Sequence, residues 1–387
     1  MKIIFWVFLF LIVYCYLGYP LLIALVSKLF SRPVRKGDFV PMVSVVISAY
    51  NEEDVIARKI DNLLSLDYPP QKMEILVGSD GSTDRTNEII QNYKDTRVCL
   101  LAHGQRRGKM LTVNELVARS RGEIILFNDA RQVLEKDALK ELVRNFADPR
   151  VGCASGELIF SHEQGGGTAK GVNAYWEYEK FIRGCESRIH SMLGATGAIY
   201  AIRKELFTPG PADVVLDDMF TPLKIIQKGH RAVFDGTAHA HDQAACSARE
   251  EHRRKARTLY GNYQIFFLFP GLFNPLRSPV AIQLFSHKLL RVIVPFLMIL
   301  LIPINFFVLD EGRAYPVFFS AQLCFYAAAV AGALSRDQKC GIFTAIAKIC
   351  YCPYVFCLLN FSALTGFYRF INAKQEITWQ KARQQDP

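Results

Sequence analysis

Four stretches of this chain are too long and too apolar to pass as ordinary core helices, and they limit the fold before any motif does. Residues 3–30 carry a single charge, Lys28, over more than the roughly 20 residues that cross a hydrocarbon layer. Leu289–Leu309, Tyr315–Leu334 and Ile349–Phe367 follow towards the C-terminus, each long enough to span with some tilt. The first lacks the small-residue cleavage site of a signal peptide, so it reads as a retained transmembrane helix. A buried helix of a soluble protein accounts for one such stretch, but not for four in a chain that is 51% hydrophobic.

The charges agree with a membrane. A net charge of +10 raises the question of nucleic acid, but the basic residues flank the apolar stretches instead of forming one polar-faced patch. That pattern excludes a nucleic-acid partner and points to membrane lipid. Lys28, Arg32, Arg35 and Lys36 close the first span, and the positive-inside rule then places residues 31–288 in the cytoplasm. The expected location is an inner or plasma membrane. Four spans would leave the C-terminus outside, whereas Arg369, Lys374, Lys381 and Arg383 favour the inside. Either one stretch does not cross fully or the tail breaks the rule. Ten irregularly placed cysteines without a C-x-x-C pair read as reduced, structural thiols. The expected organisation is a transmembrane helix over 1–30, a globular domain over 31–262, an interfacial amphipathic segment over 263–288, and spans with a tail over 289–387. Phe266–Phe269, Leu272 and Phe273 are too apolar for a cytosolic loop and too short to cross, so they are expected to tether the domain at the interface.

Between the spans the pattern alternates strand and helix, which predicts an α/β domain with a mostly parallel sheet. Strands are expected at Val43–Ser48, Glu74–Gly78, Val98–Ala102 and Glu123–Phe127, with helices through Leu64, from Arg85 to Tyr93 and from Lys109 to Arg119. Ligands of such sheets sit at the C-terminal strand ends. Those ends are Ala49–Glu53, Ser79–Asp84, His103–Lys109 and Asn128–Arg131, all polar.

Several residues there have the chemistry of a site. In Asp80-Gly81-Ser82-Thr83-Asp84 a turn needs one cap, and Asp80 precedes it, so its oxygens suit a uracil imide or a ribose hydroxyl. Asp129 emerges from an apolar strand where acids hold a divalent cation that bridges a diphosphate. Asp217-Asp218 either favours a helix dipole or supplies a general base tuned by its neighbour. Arg254 and Arg257 lie three apart on a predicted helix and share a face suited to clamping a diphosphate; a solvated or lipid-facing charge run is the alternative. Tyr175-Trp176-Glu177-Tyr178-Glu179 offers aromatic faces for a sugar or packs on a membrane-proximal core, and Leu193–Ala198 is small enough to admit an acceptor. His239 and His241 share a strand face, as metal ligands or as structural residues.

Together these pieces resemble the membrane-bound synthases of glycosyltransferase family 2, which include cellulose, hyaluronan and chitin-oligosaccharide synthases. The resemblance rests on Val43–Glu53, Gly78–Asp84, Arg107-Gly108-Lys109 and Asn128-Asp129-Ala130, in that order. It implies a GT-A fold, a mostly parallel sheet with helices on both faces, in which Ala49, Tyr50, Asn51, Glu52 and Asp80 embrace the nucleotide and Lys109 lies near ribose or phosphate. Asp129 begins the D-x-D motif, Asp218 matches the catalytic aspartate of T-E-D, and Arg257 matches the arginine of Q-x-x-R-W. Three departures stand out: Arg131 replaces the second acid of D-x-D, Leu216-Asp217-Asp218 replaces T-E-D, and Arg254-Lys255-Ala256-Arg257-Thr258 replaces Q-x-x-R-W.

The implied activity is inverting transfer of a sugar from a UDP-sugar, with Mg²⁺ or Mn²⁺, to a glycan or lipid-linked acceptor at the cytoplasmic membrane face, in cell-surface or extracellular polysaccharide synthesis. The rival readings are an enzyme that adds one sugar to a lipid and stops, and a membrane protein that binds nucleotide without turnover.

Overall fold

A computed structural model describes residues 1–161, 167–243, 248–335 and 343–372; Lys374, Lys381 and Arg383 of the sequence argument lie outside them. Its centre is an eight-stranded sheet in the order β3-β2-β1-β4-β7-β6-β8-β5. The strands are β1 Val43–Ala49, β2 Met73–Asp80, β3 Val98–His103, β4 Ile124–Phe127, β5 Val133–Leu134, β6 Val151–Ser161, β7 Tyr200–Arg203 and β8 Arg231–Gln243. β1 and β2 are buried at every position, which explains why they read as unbroken apolar runs: helices cover both faces of a parallel sheet. One face packs Ile56, Ile60, Leu63, Leu142 and Phe146, the other Met110, Val113, Leu116, Phe220 and Phe269.

The four strands expected from sequence form the parallel half, β3-β2-β1-β4. The other half is mixed: β7 runs antiparallel to β4 and β6, β8 is parallel to β6, and β5 is antiparallel to β8. Chain order reverses between β1 and β4, and such a switch point opens a crevice at the strand ends.

Among the described residues four helices are long and apolar enough to cross a membrane: Lys2–Leu29, Ala281–Phe306, Ala314–Leu334 and Cys350–Ile371. The second starts at Ala281, well before the Leu289 expected, because His287, Lys288 and Arg291 find buried partners and no longer interrupt it. The segment before it is only partly free to lie at an interface. Phe269, Leu272 and Val280 are buried in the core with Phe220, while Phe267 and Leu276 are 73% and 93% exposed.

The last of the four runs beside the helix Ala248–Leu268. His252 Nδ1 lies 2.9 Å from Ser362 Oγ, and Tyr263 and Tyr260 pack on Phe367 and Phe370.

Candidate active site

The strand-end loops are stitched together by the motif residues themselves. The Asn51 amide donates to Ser82 Oγ at 3.1 Å and Asn51 Oδ1 accepts from the Thr83 amide at 2.8 Å. The Glu52 and Glu53 amides donate to Thr86 Oγ1 and Asp84 Oδ2. Asp80 is fully buried, and its two oxygens accept from the amides of Arg107 and Gly108 at 2.7 and 2.9 Å. Each oxygen thus helps to fix the 103–109 loop and keeps a further lone pair, as the uracil or ribose contact expected of Asp80 requires. Gly81 has φ 73°, and a Cβ there would stand 2.7 Å from the Arg106 amide, so the turn tolerates no side chain. Ala49 is likewise fully buried, and the Tyr50 ring lies 3.8 Å beneath the Arg106 guanidinium.

The fixed loop delivers Lys109, the first residue of the helix Lys109–Arg119, into a ring of acids. Its Nζ lies 3.1 Å from Asp129 Oδ1 and 3.2 Å from Asp217 Oδ2. Burial pulls against the ammonium, but Asp129, Asp217 and Asp218 outweigh it and hold the lysine firmly protonated. Arg131, in the second acid position of D-x-D, turns instead towards Glu52, 3.7 Å away.

Asp217 and Asp218 open the helix Asp217–Gln227. The Asp218 carboxyl is pushed up to about 6, first by loss of water and then by Asp217, while Lys109 and Arg183 pull it down. The loop expected to admit an acceptor braces it: the Ala195 amide donates to the Asp218 carbonyl at 2.7 Å, and a Cβ on Gly197 would stand 3.3 Å from Asp218 Oδ2. Arg183, which the sequence reading missed, donates to Thr196 Oγ1 of that loop at 2.9 Å. Its signal was the spacing of Glu179, Arg183 and Glu186, which gives one helix face three charges.

Arg254 and Arg257 both face the same cavity. Arg254 pairs with Glu251 at 2.6 Å, whereas the buried Arg257 Nε has no hydrogen-bond partner and feels Asp217, Asp129 and Asp218. That cavity, about 1380 Å³, joins Glu52, Lys109 and Asp129 to Asp218 and continues to Tyr16 and Tyr351 of the apolar helices. His239 and His241 do share a face, but both are held by Glu135, at 3.0 and 2.8 Å. Among the described residues no group of three acids, histidines or cysteines could by itself hold a metal ion.

A switch-point crevice filled by acids, a lysine and an arginine, opening onto membrane helices, defines a GT-A domain joined to a membrane part. Residues 44–208 match the family model described as glycosyl transferase family 2. The chain is 32% identical over 154 residues to a beta-monoglucosyldiacylglycerol synthase of Synechocystis sp., covering 37% of this chain and 32% of that one. It is 25% identical over 216 residues to a poly-beta-1,6-N-acetyl-D-glucosamine synthase of Staphylococcus aureus, covering 54% and 51%. It thus spans between a third and a half of the length of these curated relatives. A mannosyltransferase from Pyrobaculum calidifontis, solved with GDP-Man and Mn²⁺, shares the fold with a TM-score of 0.72 at 21% identity over 94% of this chain and 98% of that one. Residues 44–208 are thus a glycosyl transferase family 2 domain, carried by a membrane protein.

Proposed function

We propose that this protein is an inverting glycosyltransferase that moves a sugar from a nucleoside-diphosphate sugar, a UDP-sugar in the first instance, to an acceptor presented by the membrane on its cytoplasmic face. The single cavity that joins Lys109, Asp129 and Arg257 to Asp218 and then to the apolar helices carries this reading. Asp218 takes the proton of an acceptor hydroxyl as that oxygen attacks the anomeric carbon. A carboxyl raised to about 6 is ionised near neutral pH and more basic than an ordinary aspartate. Lys109 and Arg257 meet the charge that develops on the departing diphosphate. A single displacement turns an α-linked donor into a β-linked product. Incubating the detergent-purified full chain with a panel of UDP- and GDP-sugars and measuring released nucleoside diphosphate tests the reading; no release from any donor would leave a nucleotide-binding membrane protein. Product length separates the polymer expected from sequence from a single addition to a lipid.

The residues fit a divalent cation of the kind that needs few protein ligands. Asp129 gives one oxygen to Lys109 and keeps the other for a metal whose shell is completed by diphosphate and water, as Mg²⁺ or Mn²⁺ accepts. Such an ion neutralises the leaving group. The Mn²⁺ bound by the Pyrobaculum enzyme supports this assignment. Excess EDTA is therefore expected to abolish turnover, and added Mn²⁺ or Mg²⁺ to restore it. Full activity in EDTA would hand the charge to Arg131 and remove the metal.

The contacts of the last apolar helix with Ala248–Leu268 support the alternative in which that stretch does not cross fully, and Arg369 lies close enough to His252 to act on its charge. A cysteine placed at residue 372 is expected to react with an impermeant thiol reagent from the same membrane side as Cys99, an exposed thiol of the sheet domain. Labelling from the opposite side would mean four full crossings.

A further inference from the structure

The membrane-facing end of the cavity holds charges that the transfer step does not use. His287 bridges two buried carboxylates: Nδ1 lies 2.8 Å from Glu186 and Nε2 lies 3.1 Å from Glu179. Glu186 also accepts from Tyr19 at 2.7 Å, and Glu179 pairs with Arg291. Those two carboxylates face Arg183, Lys255, Lys288 and Arg291, all lining the cavity; Arg183 and Lys288 also feel Asp218, and Lys255 feels Glu251, which itself pairs with Arg254 at 2.6 Å. Lys288 reaches Glu179 only at 3.9 Å. Lys255 has ring faces for neighbours, its Nζ 4.1 Å from the centre of Tyr175 and 5.4 Å from that of Trp176. Burial pulls the Lys255 ammonium down to about 7; Glu251 works against this, and the cations Arg254, Lys288 and Arg183 add to it.

Two of the spans that line this end change to wider π-helical turns there, at Tyr14–Gly18 and Leu284–Leu289. Such turns re-aim side chains and gather at functional sites. They bring Tyr16 and Leu17 on one side and His287 and Lys288 on the other to the cavity wall, and Tyr14 and Ser286 join them at 2.9 Å. Leu17 and, from the last span, Val355, Phe356 and Leu359 give the same cavity apolar wall.

We propose that the acceptor is an anionic amphiphile, a membrane lipid whose headgroup phosphate sits among Arg183, Lys255 and Lys288, whose tails follow Leu17, Val355 and Phe356, and whose headgroup hydroxyl reaches Asp218. The inference rests on the reading of Asp218 as the base of a glycosyl transfer. In the step, the bond from the anomeric carbon to the diphosphate oxygen breaks and its electrons leave with the nucleoside diphosphate. The headgroup oxygen forms the new bond and its proton passes to Asp218. Buried cations with no carboxylate in close contact, as at Lys255 and Lys288, favour a phosphate over a neutral headgroup, and charge-assisted hydrogen bonds supply the preference.

The test uses the full chain in phosphatidylcholine nanodiscs containing either phosphatidylglycerol or diacylglycerol, with glycerol phosphate in solution as a third acceptor and the donor chosen by the panel above. Glycosylated phosphatidylglycerol is expected to form at least about tenfold faster than glycosylated diacylglycerol, the least that one lost charge-assisted contact implies. Lys288→Met and Lys255→Gln are expected to raise the KM for the anionic lipid by about tenfold each without raising the donor KM, and Lys288→Arg to restore it. Equal or faster use of diacylglycerol, or a rise in donor KM instead, overturns the phosphate site. Glycerol phosphate reacting as fast as the lipid overturns the amphiphile. Loss of donor turnover with every acceptor contradicts the glycosyl-transfer reading itself, and so is a different failure.

Discussion

Replacing Asp218 by Asn is expected to lower sugar transfer by about 10²- to 10⁴-fold, the usual cost of removing a general base, with nucleoside diphosphate affinity almost unchanged. In the proposed reaction the base acts on the acceptor, whereas the nucleotide is met by Lys109, Asp129 and Arg257, which line the same cavity. Because the Asp218 carboxyl is raised to about 6, the wild-type kcat should fall as pH drops through that value, where the carboxylate becomes protonated. The residual rate of the Asn variant should lose that acid limb. A variant retaining more than about a tenth of wild-type kcat would remove Asp218 from the chemistry.

The second large effect belongs to Lys109. Its ammonium stands between Asp129 and Asp217 and is one of the two cations that hold the Asp218 carboxyl down. Lys109→Met leaves three acids facing one another, so the carboxyl of Asp218 must rise further and the acid limb of kcat must move to higher pH. Loss of its contact with the leaving group adds a fall in kcat of about 10²-fold. Lys109→Arg keeps the charge and should restore the limb, though not the full rate, because a guanidinium fork does not occupy the space of an ammonium. The pH profiles of the three proteins check this. A limb that stays put or moves to lower pH in Lys109→Met would show that the lysine does not tune the base.

The parallel half of the sheet was legible in the sequence because each of its strands is an apolar run ending in polar residues. Asp129, Asp217 and Asp218 were legible because acids just after a strand and at a helix start stand out there. The mixed half was not. β7 is only four residues long, and β6 and β8 carry polar positions, such as Glu157, His239 and His241, that break an apolar pattern. Asp80 was located correctly, but from sequence its two backbone partners are invisible: they lie on another loop, 27 and 28 residues away. The charges of the second span were hidden for a related reason. His287 and Lys288 looked like the end of a polar segment, because only the fold shows that Glu179 and Glu186 come to meet them. The interfacial segment was half legible, since its composition could not reveal that Phe269 and Leu272 turn inward onto the helix that begins with Asp217.

The claim that ties these residues together is a single displacement with Asp218 as base, and the anomeric configuration of the first product tests it most directly. The full chain, given an α-linked nucleotide-sugar that it turns over, should yield a product whose proton NMR spectrum shows the β-anomer from the earliest times. An α-linked product would mean retention, which one displacement cannot give, and would contradict the account.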